Sequence, residues 1–414
     1  MPARRLSARW VFPMDVPPVE RGAVLIDAGR FVAVGPEAAV PRPAGARVEE
    51  FAGGLLLPGL VNTHTHLELT GFGTAAPETD FAAWIRGVRT RKAERSAEAF
   101  LGAARAGLAA CWAAGVTTIA DTGDSGAVIR ALAEAGGSGV VYQEVFGPDP
   151  AQAAESLAGL QQRVAELCRF AGGRVRLGVS PHAPYTVSGE LYGAVARWAG
   201  QESLPLAVHV AESAAESALL ADGTGAFAEA WSRRGIAPPV PLGHTPVEWL
   251  ERHGVLGPTT LCIHVIRAGP RDIARLAAAG CAVAHCPRSN AAHGHGSAPL
   301  GALLEAGLRV GAGTDSVLSV GEPDLLAEAR MARRAAALDA EAALRLCTLD
   351  AARALDLEGD VGSITPGKWA DCIVVRPGAG KGGPPAEQAL ATGPDDVLLT
   401  ILGGRDVYRA GASA

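Results

Sequence analysis

Residues 55–68 read LLLPGLVNTHTHLE, and within this stretch the sequence pattern changes. Before Pro58 the chain consists of short apolar runs that Pro and Gly separate, which predicts β-strands without intervening helices. After Pro58, apolar runs rich in β-branched residues alternate with Ala-rich helical stretches. Several of these runs are apolar without alternation, as is typical of strands that helices cover on both faces. The stretch 55–68 therefore marks the entry into an α/β architecture.

The alternating region predicts eight strands, which is the number in a (β/α)8 TIM barrel. The predicted strands are Gly59–His64, Val116–Asp121, Val140–Val145, Val175–Ser180, Leu206–Ala211, Thr260–Val265, Cys281–Cys286 and Arg309–Thr314. The predicted helices include Ser96–Ala114, Pro150–Ala171, Ser188–Gly200, Ala215–Arg234, Arg271–Ala279 and Leu325–Ala336. We therefore expect an α/β fold built on a TIM barrel.

The end of the chain returns to strand-like sequence after a helical stretch at Asp339–Leu355. The runs ADCIVVRP, VLLTILGG and DVYRAG resemble the short strands of the N-terminal segment. We predict that residues 358–414 join residues 1–57 in a small β-sandwich domain, and that residues 58–357 form the catalytic barrel between these two halves. The turn-rich segment Gly378–Pro394 is expected to be an exposed loop.

Composition and charge narrow the range of partners. The 414 residues are 48% hydrophobic and carry a formal net charge of −6 without a run of like charge, so neither nucleic acid nor an anionic membrane is expected to bind. The 7 cysteines are scattered and include no C-x-x-C pair, which is typical of a reducing cytoplasm. No apolar segment reaches the roughly 20 residues of a membrane span. We expect a cytoplasmic protein that acts on a small molecule, and a homodimer is compatible with the sequence.

Four residues of the metal-ligand type stand at the ends of predicted strands. His64 and His66 are two residues apart, so both can face one ion. His209 ends an apolar run in HVAES, and Asp315 follows another in GTDS. Active sites of TIM barrels lie at the C-terminal ends of the strands, and four such ligands leave a position for water. The alternative for the H-x-H pair by itself is two solvent-facing loop histidines.

The scarcity of lysine predicts a single metal ion. The chain contains only three lysines: Lys92, Lys368 and Lys381. Barrels with two ions often bridge them with a carbamylated lysine from strand 4. Strand 4 of this chain and the residues after it, VRLGVSPHAPY, contain none.

Two further residues are placed for proton transfer. Glu212 lies three residues after His209, and His264 ends the strand in TLCIHVI. A divalent metal lowers the pKa of water toward about 7. We expect Asp315 and His264 to accept the proton of this water and to orient it toward a ring carbon that carries an amino group. Glu212 would protonate the adjacent ring nitrogen and then assist the departure of ammonia.

The motifs together resemble the amidohydrolase superfamily, in its deaminase and chlorohydrolase branch. They are LLLPGLVNTHTHLE, SPHAPYTVS, HVAES, AHCPRSN, GTDS and GSITPGKWADCIVV, and they extend over nearly the whole chain. The resemblance implies a zinc ion, with iron as the alternative, bound by the four ligands already named. It also implies that Glu212 and His264 act in catalysis.

Within this branch, HTHLE, SPHAPYTVS and HCPRSN resemble the aminodeoxyfutalosine deaminases of menaquinone biosynthesis. These enzymes convert 6-amino-6-deoxyfutalosine into futalosine and ammonia. The S-adenosylhomocysteine and methylthioadenosine deaminases are also similar. In them a tryptophan about 20 residues after the first histidine ligand packs near the substrate, which corresponds to Trp84. His182 matches a substrate-binding histidine of strand 4, whereas Glu94 is one residue out of step with a ribose-binding glutamate.

Other candidates have two interpretations each. Glu68 is two residues beyond His66 and is predicted to contact substrate. Arg288 would pair with a substrate carboxylate, or it would brace its loop or cap a helix. His293 and His295 lie in the Gly-rich loop SNAAHGHGSAP and are expected to be lid or surface residues.

The metal ligands alone do not identify the reaction. An aminopurine nucleoside deaminase is the preferred hypothesis, and a guanine deaminase or a heterocycle chlorohydrolase is the alternative on the same site. A non-catalytic barrel scaffold is a third hypothesis, and it predicts missing ligands, whereas every ligand is present here.

Overall fold

The computed structural model describes residues 2–73, 80–378 and 383–411, so Lys381 lies outside the described residues. Within these ranges the strands are, in chain order, β1 (Arg4–Val11), β2 (Val19–Asp27), β3 (Arg30–Pro36), β4 (Arg47–Pro58), β5 (Leu60–Thr65), β6 (Val116–Gly123), β7 (Gly139–Val145), β8 (Val175–Pro181), β9 (Leu206–Val210), β10 (Thr260–His264), β11 (Ala282–His285), β12 (Arg309–Ala312), β13 (Cys372–Val375), β14 (Val397–Leu402) and β15 (Arg405–Arg409).

The helices of the described ranges are mostly short. In chain order they are α1 (Phe81–Ala93), α2 (Ala97–Ala113), α3 (Ala127–Ala135), α4 (Ala153–Leu167), α5 (Gly189–Glu202), α6 (Ala214–Asp222), α7 (Gly225–Ser232), α8 (Pro246–Arg252), α9 (Pro270–Ala278), α10 (Pro287–Ala292), α11 (Leu300–Glu305), α12 (Val317–Val320), α13 (Leu325–Ala336), α14 (Ala340–Arg345), α15 (Leu349–Ala354) and α16 (Pro385–Leu390). None of these helices is long and apolar enough to cross a membrane.

Strands from both ends of the chain form one small β domain. They pair in the order β15-β14-β13-β4-β1-β2-β3, with β13 antiparallel to β4 and β1 parallel to it. Phe31 on β3 and Ile401 on β14 share one buried cluster although their strands lie near opposite ends of the sheet. The sheet therefore folds over its own core, which confirms the predicted β-sandwich. The domain limits 1–57, 58–357 and 358–414 stay a prediction.

The eight predicted barrel strands are all present as β5 to β12, which lie side by side in chain order as one parallel sheet. Consecutive residues of one strand face different cores. Val140 and Ile263 belong to the cluster inside the barrel, whereas Val141 and Cys262 belong to the cluster beneath the helices. Because both faces are buried, these strands need apolar residues at every position, which explains the lack of alternation in the sequence.

Asn62 closes the barrel at the edge where functional residues are expected. Its side-chain amide donates to Thr314 Oγ1 at 2.8 Å, and its carbonyl oxygen accepts from the backbone N–H of Thr314 at 3.1 Å. The backbone N–H of Asp315 donates to the carbonyl oxygen of His64 at 2.9 Å. The first and the last strand of the barrel are thereby joined where His64 and Asp315 leave them.

Three predictions about local structure are wrong. The stretch Ala215–Arg234 is not one helix, because Gly223 adopts φ +66° and ends α6 in the left-handed conformation that favours glycine. The segment Gly378–Pro394 is not only loop, since α16 lies within it. The helical stretch Asp339–Leu355 is likewise divided into α14 and α15.

Candidate metal centre and active site

The four predicted ligands converge at the C-terminal rim of the barrel. The ring centroid of His64 lies 4.7 Å from that of His66 and 4.9 Å from that of His209. Asp315 Oδ1 lies 3.4 Å from the Nε2 atoms of both His64 and His66. Residues from the first, the fifth and the last barrel strand therefore meet in one place.

The orientation of these side chains fits a divalent metal. His66 Nδ1 lies 2.9 Å from the carbonyl oxygen of Thr122, and His209 Nδ1 lies 3.2 Å from that of His182. Such contacts hold the proton on Nδ1 and leave the lone pair of Nε2 for an ion. His64 Nε2 is buried and has no hydrogen-bond partner within the described ranges. Three imidazoles and one carboxylate are a donor set that suits zinc or another divalent transition metal.

The backbone at this rim is bent into an uncommon conformation. Ala211, His264, Val265 and Asp315 have φ values of 54°, 73°, 50° and 60°, which L-residues other than Asn and Asp rarely adopt. Three of the four follow or end the strands β9 and β10, so the bends turn the chain at the point where the candidate catalytic side chains leave the sheet.

Glu212 is buried beside the ligand cluster. Its Oε1 lies 3.6 Å from His264 Nε2 and 3.7 Å from His295 Nδ1, and its Oε2 accepts a hydrogen bond from the Tyr185 hydroxyl at 3.2 Å. Burial, reinforced by the charge of Asp315, raises the pKa of Glu212 to about 8. This carboxyl group therefore retains its proton at neutral pH and can donate it.

Glu216, which sequence analysis missed, fixes the backbone at Glu212 through hydrogen bonds. Its two carboxylate oxygens accept the backbone N–H groups of Ala211 at 2.9 Å and of Glu212 at 2.7 Å. Glu216 is fully buried, and burial raises its pKa to about 8. Its position four residues after Glu212, in the first turn of α6, was visible in the sequence, but its direction depends on the bend at Ala211.

The motif AHCPRSN supplies two supports from α10. Asn290 Oδ1 lies 3.0 Å from His264 Nδ1, and the Ser289 hydroxyl donates to Asp315 Oδ2. Burial lowers the pKa of His264, so its ring stays neutral near pH 7. A neutral imidazole with Nδ1 held by Asn290 directs Nε2 toward Glu212.

A cavity of about 900 Å³ opens above these residues. Trp84 and His182 lie on its wall, where the resemblance placed a substrate-binding tryptophan and histidine. Sequence analysis missed the other aromatic residues of this wall, among which Phe81 stacks on Trp84 at 5.7 Å between ring centroids and Tyr185 stacks on Phe227 at 4.1 Å. The wall therefore offers flat apolar surfaces for a heterocyclic ring.

His293 and His295 do not lie on the open surface. The ring of His293 is 4.6 Å from that of Trp84, and the ring of His295 is 4.5 Å from that of Phe81. The side chain of His295 is only 8% exposed because its loop folds inward over Glu212. The expectation of a surface position is corrected for both.

Three of the candidate substrate-binding residues do not line the cavity. The carboxylate of Glu68 is turned toward Lys92 Nζ at 2.5 Å. The guanidinium of Arg288 donates to the carbonyl oxygens of Val320 and Glu322, so it braces its loop, which was one of its two interpretations. Glu94 is exposed at the end of α1.

Comparison with known proteins gives a consistent result. The sequence model of the amidohydrolase family matches residues 55–407. A 5-methylthioadenosine/S-adenosylhomocysteine deaminase of Symbiobacterium thermophilum is 30% identical over 406 residues, which cover 94% of this chain and 89% of the relative. An aminodeoxyfutalosine deaminase of Deinococcus radiodurans is 34% identical over 312 residues, or 72% of each chain. A zinc-bound adenosine deaminase structure from Xanthomonas campestris superimposes with a TM-score of 0.83 at 25% identity, covering 97% of this chain and 92% of the other.

Proposed function

The chain belongs to the amidohydrolase family and is an enzyme of that family, and from this premise we propose that it is a metal-dependent hydrolytic deaminase of an adenosine-like nucleoside. The observation that carries the proposal is Glu212, a buried carboxyl group that keeps its proton at neutral pH beside a cluster of three histidines and an aspartate. Such a group can protonate a ring nitrogen while water attacks the neighbouring carbon.

One divalent ion would be held by the Nε2 atoms of His64, His66 and His209 and by the carboxylate of Asp315. Zinc is our choice, with iron as the alternative, because a structural relative contains zinc and the donors are imidazole and carboxylate. A bound ion of this kind supplies Lewis acidity, which lowers the pKa of water toward about 7.

The side chains divide the proton transfers among them. Asp315 accepts a proton from the attacking water, and His264 orients this water through Nε2. Glu212 donates its proton to the ring nitrogen next to the carbon that carries the amino group. A second proton, passed from the water by way of Asp315, leaves with the amine, and the remaining proton of the water returns to Glu212 as the carbonyl bond forms. Water and the aminopurine thus become the oxopurine and ammonia.

The aromatic wall would hold the purine ring. Phe81 and Trp84 form a stacked pair on α1, and His182 lies on the same cavity wall beside His209, at 4.7 Å between the ring centroids. We propose 6-amino-6-deoxyfutalosine as the substrate, because the motifs and one relative support it. Methylthioadenosine or S-adenosylhomocysteine is the alternative, since a relative that acts on them matches more of the chain.

Ammonia release from a panel of compounds tests the proposal. The panel contains 6-amino-6-deoxyfutalosine, methylthioadenosine, S-adenosylhomocysteine, 5′-deoxyadenosine and guanine, and the Glu212→Gln variant serves as the control. Release from at least one adenine nucleoside, abolished in the variant, supports the proposal. Release from guanine alone, or chloride release from a chlorotriazine without any ammonia release, would overturn it.

A further inference from the structure

Five arginines line the cavity and take no part in the proton transfers, and four of them lie on α1 or directly follow α7. Arg86 and Arg89 lie on α1, and Arg233 and Arg234 directly follow α7. We call these four residues the arginine rim. The two helices meet across the cavity through an edge-to-face ring contact at 6.3 Å between centroids. The rim therefore places cationic side chains on two elements that face the same space.

Two members of the rim have no counter-ion. The other two form only weak ion pairs, because the side chains of both partners are at least half exposed. Arg86 lies 3.8 Å from Asp80, and Arg233 lies 3.9 Å from Glu229. The guanidinium groups of Arg89 and Arg234 form neither an ion pair nor a hydrogen bond with any described residue.

The other cations on the cavity wall are already engaged. Lys92 is paired with Glu68 and Asp124, and Arg95 lies over the ring of Phe72 at 4.2 Å. Free positive charge on the wall is therefore concentrated at the rim. Because a guanidinium keeps its proton under all ordinary conditions, this charge does not depend on pH.

An exposed aromatic ring lies on the same wall. Phe146 is 39% exposed. Among the large hydrophobic side chains that are exposed within the described ranges, it is the only aromatic one. Its ring lies 5.0 Å from that of His182. An exposed apolar ring and free guanidinium groups that line the same cavity are a combination that binds an apolar linker ending in an anion.

The chemistry of an adenine nucleoside determines which part of it reaches the rim. The carbon that carries the amino group and the nitrogen that carries the sugar lie at opposite ends of the purine. When the amino end is at the ligand cluster, the sugar and its 5′ substituent point away from the cluster and toward the opening.

From these observations we infer that the arginine rim binds a carboxylate carried by the 5′ substituent of the nucleoside. The inference rests on the proposed function and narrows its substrate class to nucleosides with an anionic 5′ group. A guanidinium binds a carboxylate through two parallel hydrogen bonds, and Arg89 and Arg234 have all their donors available for this. Arg288, which the sequence suggested for this role, is occupied by the carbonyl oxygens of its own loop.

A matched pair of substrates isolates the charge. The pair is 5′-deoxy-5′-(carboxymethylthio)adenosine and its carboxamide, which have nearly the same shape and differ in charge. kcat/KM for ammonia release is measured with the wild type and with Arg89→Gln/Arg234→Gln. The matched control is Arg271→Gln, an exposed arginine on α9 that is not on the cavity wall.

We expect the wild type to prefer the acid over the amide by about 10-fold, which is typical of one or two charge-assisted contacts at a partly exposed site. The preference should fall to about 1 in the double variant, remain in Arg271→Gln, and decrease as salt is added. Equal turnover of acid and amide by the wild type would overturn the inference. The inference would also be overturned if the double substitution lowered kcat/KM by the same factor for both compounds.

Failure of the proposed function can be told apart from failure of this inference. If neither compound releases ammonia, the dissociation constants of both are measured by calorimetry with the same proteins. If the wild type binds the acid more tightly than the amide and the double variant does not, the role of the arginine rim is supported although the proposed deaminase activity is refuted. Equal binding of acid and amide rejects the rim.

Discussion

Replacing Glu212 by Gln should lower activity by orders of magnitude and stabilise the metal-free protein at the same time. The folded protein holds this carboxyl group with a pKa of about 8, compared with 4.5 in the unfolded chain. Between these two values the folded state binds the proton and the unfolded state does not, so the stability of the wild type decreases as the pH rises from 4.5 toward 8. Glutamine has no proton to keep, and the variant avoids this loss.

The size of the effect follows from the same two pKa values. Each pH unit above 4.5 costs the wild type about 1.36 kcal/mol. The variant should therefore be more stable by about 3 kcal/mol at pH 7 and by less than about 1 kcal/mol at pH 5. With an unfolding entropy of about 2.1 cal/mol/K per residue, the melting temperature of this chain of 414 residues should rise by about 4 °C at pH 7.

The assay compares thermal unfolding of metal-stripped wild type and Glu212→Gln between pH 5 and pH 8. Turnover and metal content are measured on the metal-loaded forms, where we expect activity to fall by about 10²- to 10⁴-fold and metal content to remain. A melting-temperature difference that does not change with pH would refute the reasoning about the pKa. Near-normal turnover of the variant would refute the role of Glu212 as the proton donor.

Three further variants test the supports of the site. Glu216→Ala removes the acceptor of two buried N–H groups, so we expect a loss of about 2–4 kcal/mol of stability and a reduced kcat; Glu341→Ala, exposed on α14, should change neither. Tyr185→Phe removes a hydrogen bond that lowers the pKa of Glu212, so the alkaline limb of the pH–rate profile should move to higher pH. Asn62→Ala removes two hydrogen bonds that join the first and last barrel strands. The free energy of unfolding should therefore fall by about 2–4 kcal/mol, and metal should dissociate faster.

For each of these variants, one result would contradict the reasoning. Unchanged denaturant midpoints in Glu216→Ala would mean that water replaces the carboxylate without cost. An alkaline limb that moves to lower pH in Tyr185→Phe would reverse the proposed effect of the hydroxyl. Metal retention equal to that of the wild type in Asn62→Ala would separate barrel closure from the ligand geometry.

Much of the fold was predictable because it depends on local pattern. Continuous apolar runs alternating with helical sequence identified all eight barrel strands, since a strand buried on both faces has to be apolar at every position. The convergence of the four candidate ligands was predictable for a related reason: His209 and Asp315 each interrupt an apolar run at the C-terminal end of a strand, where barrel active sites lie. Breaks within helical sequence were harder, because at Gly223 a single positive φ value ends the helix.

The sequence by itself determined which residues are candidates for the chemistry, whereas the tertiary structure decided where each side chain points beyond the strand ends. Outside a strand no periodicity directs a side chain, and its orientation follows from partners far along the chain. Lys92 turns Glu68 away from the cavity, an inward loop brings His295 beside Glu212, and the bend at Ala211 aims two backbone N–H groups at Glu216. Such contacts exist only once the barrel has closed.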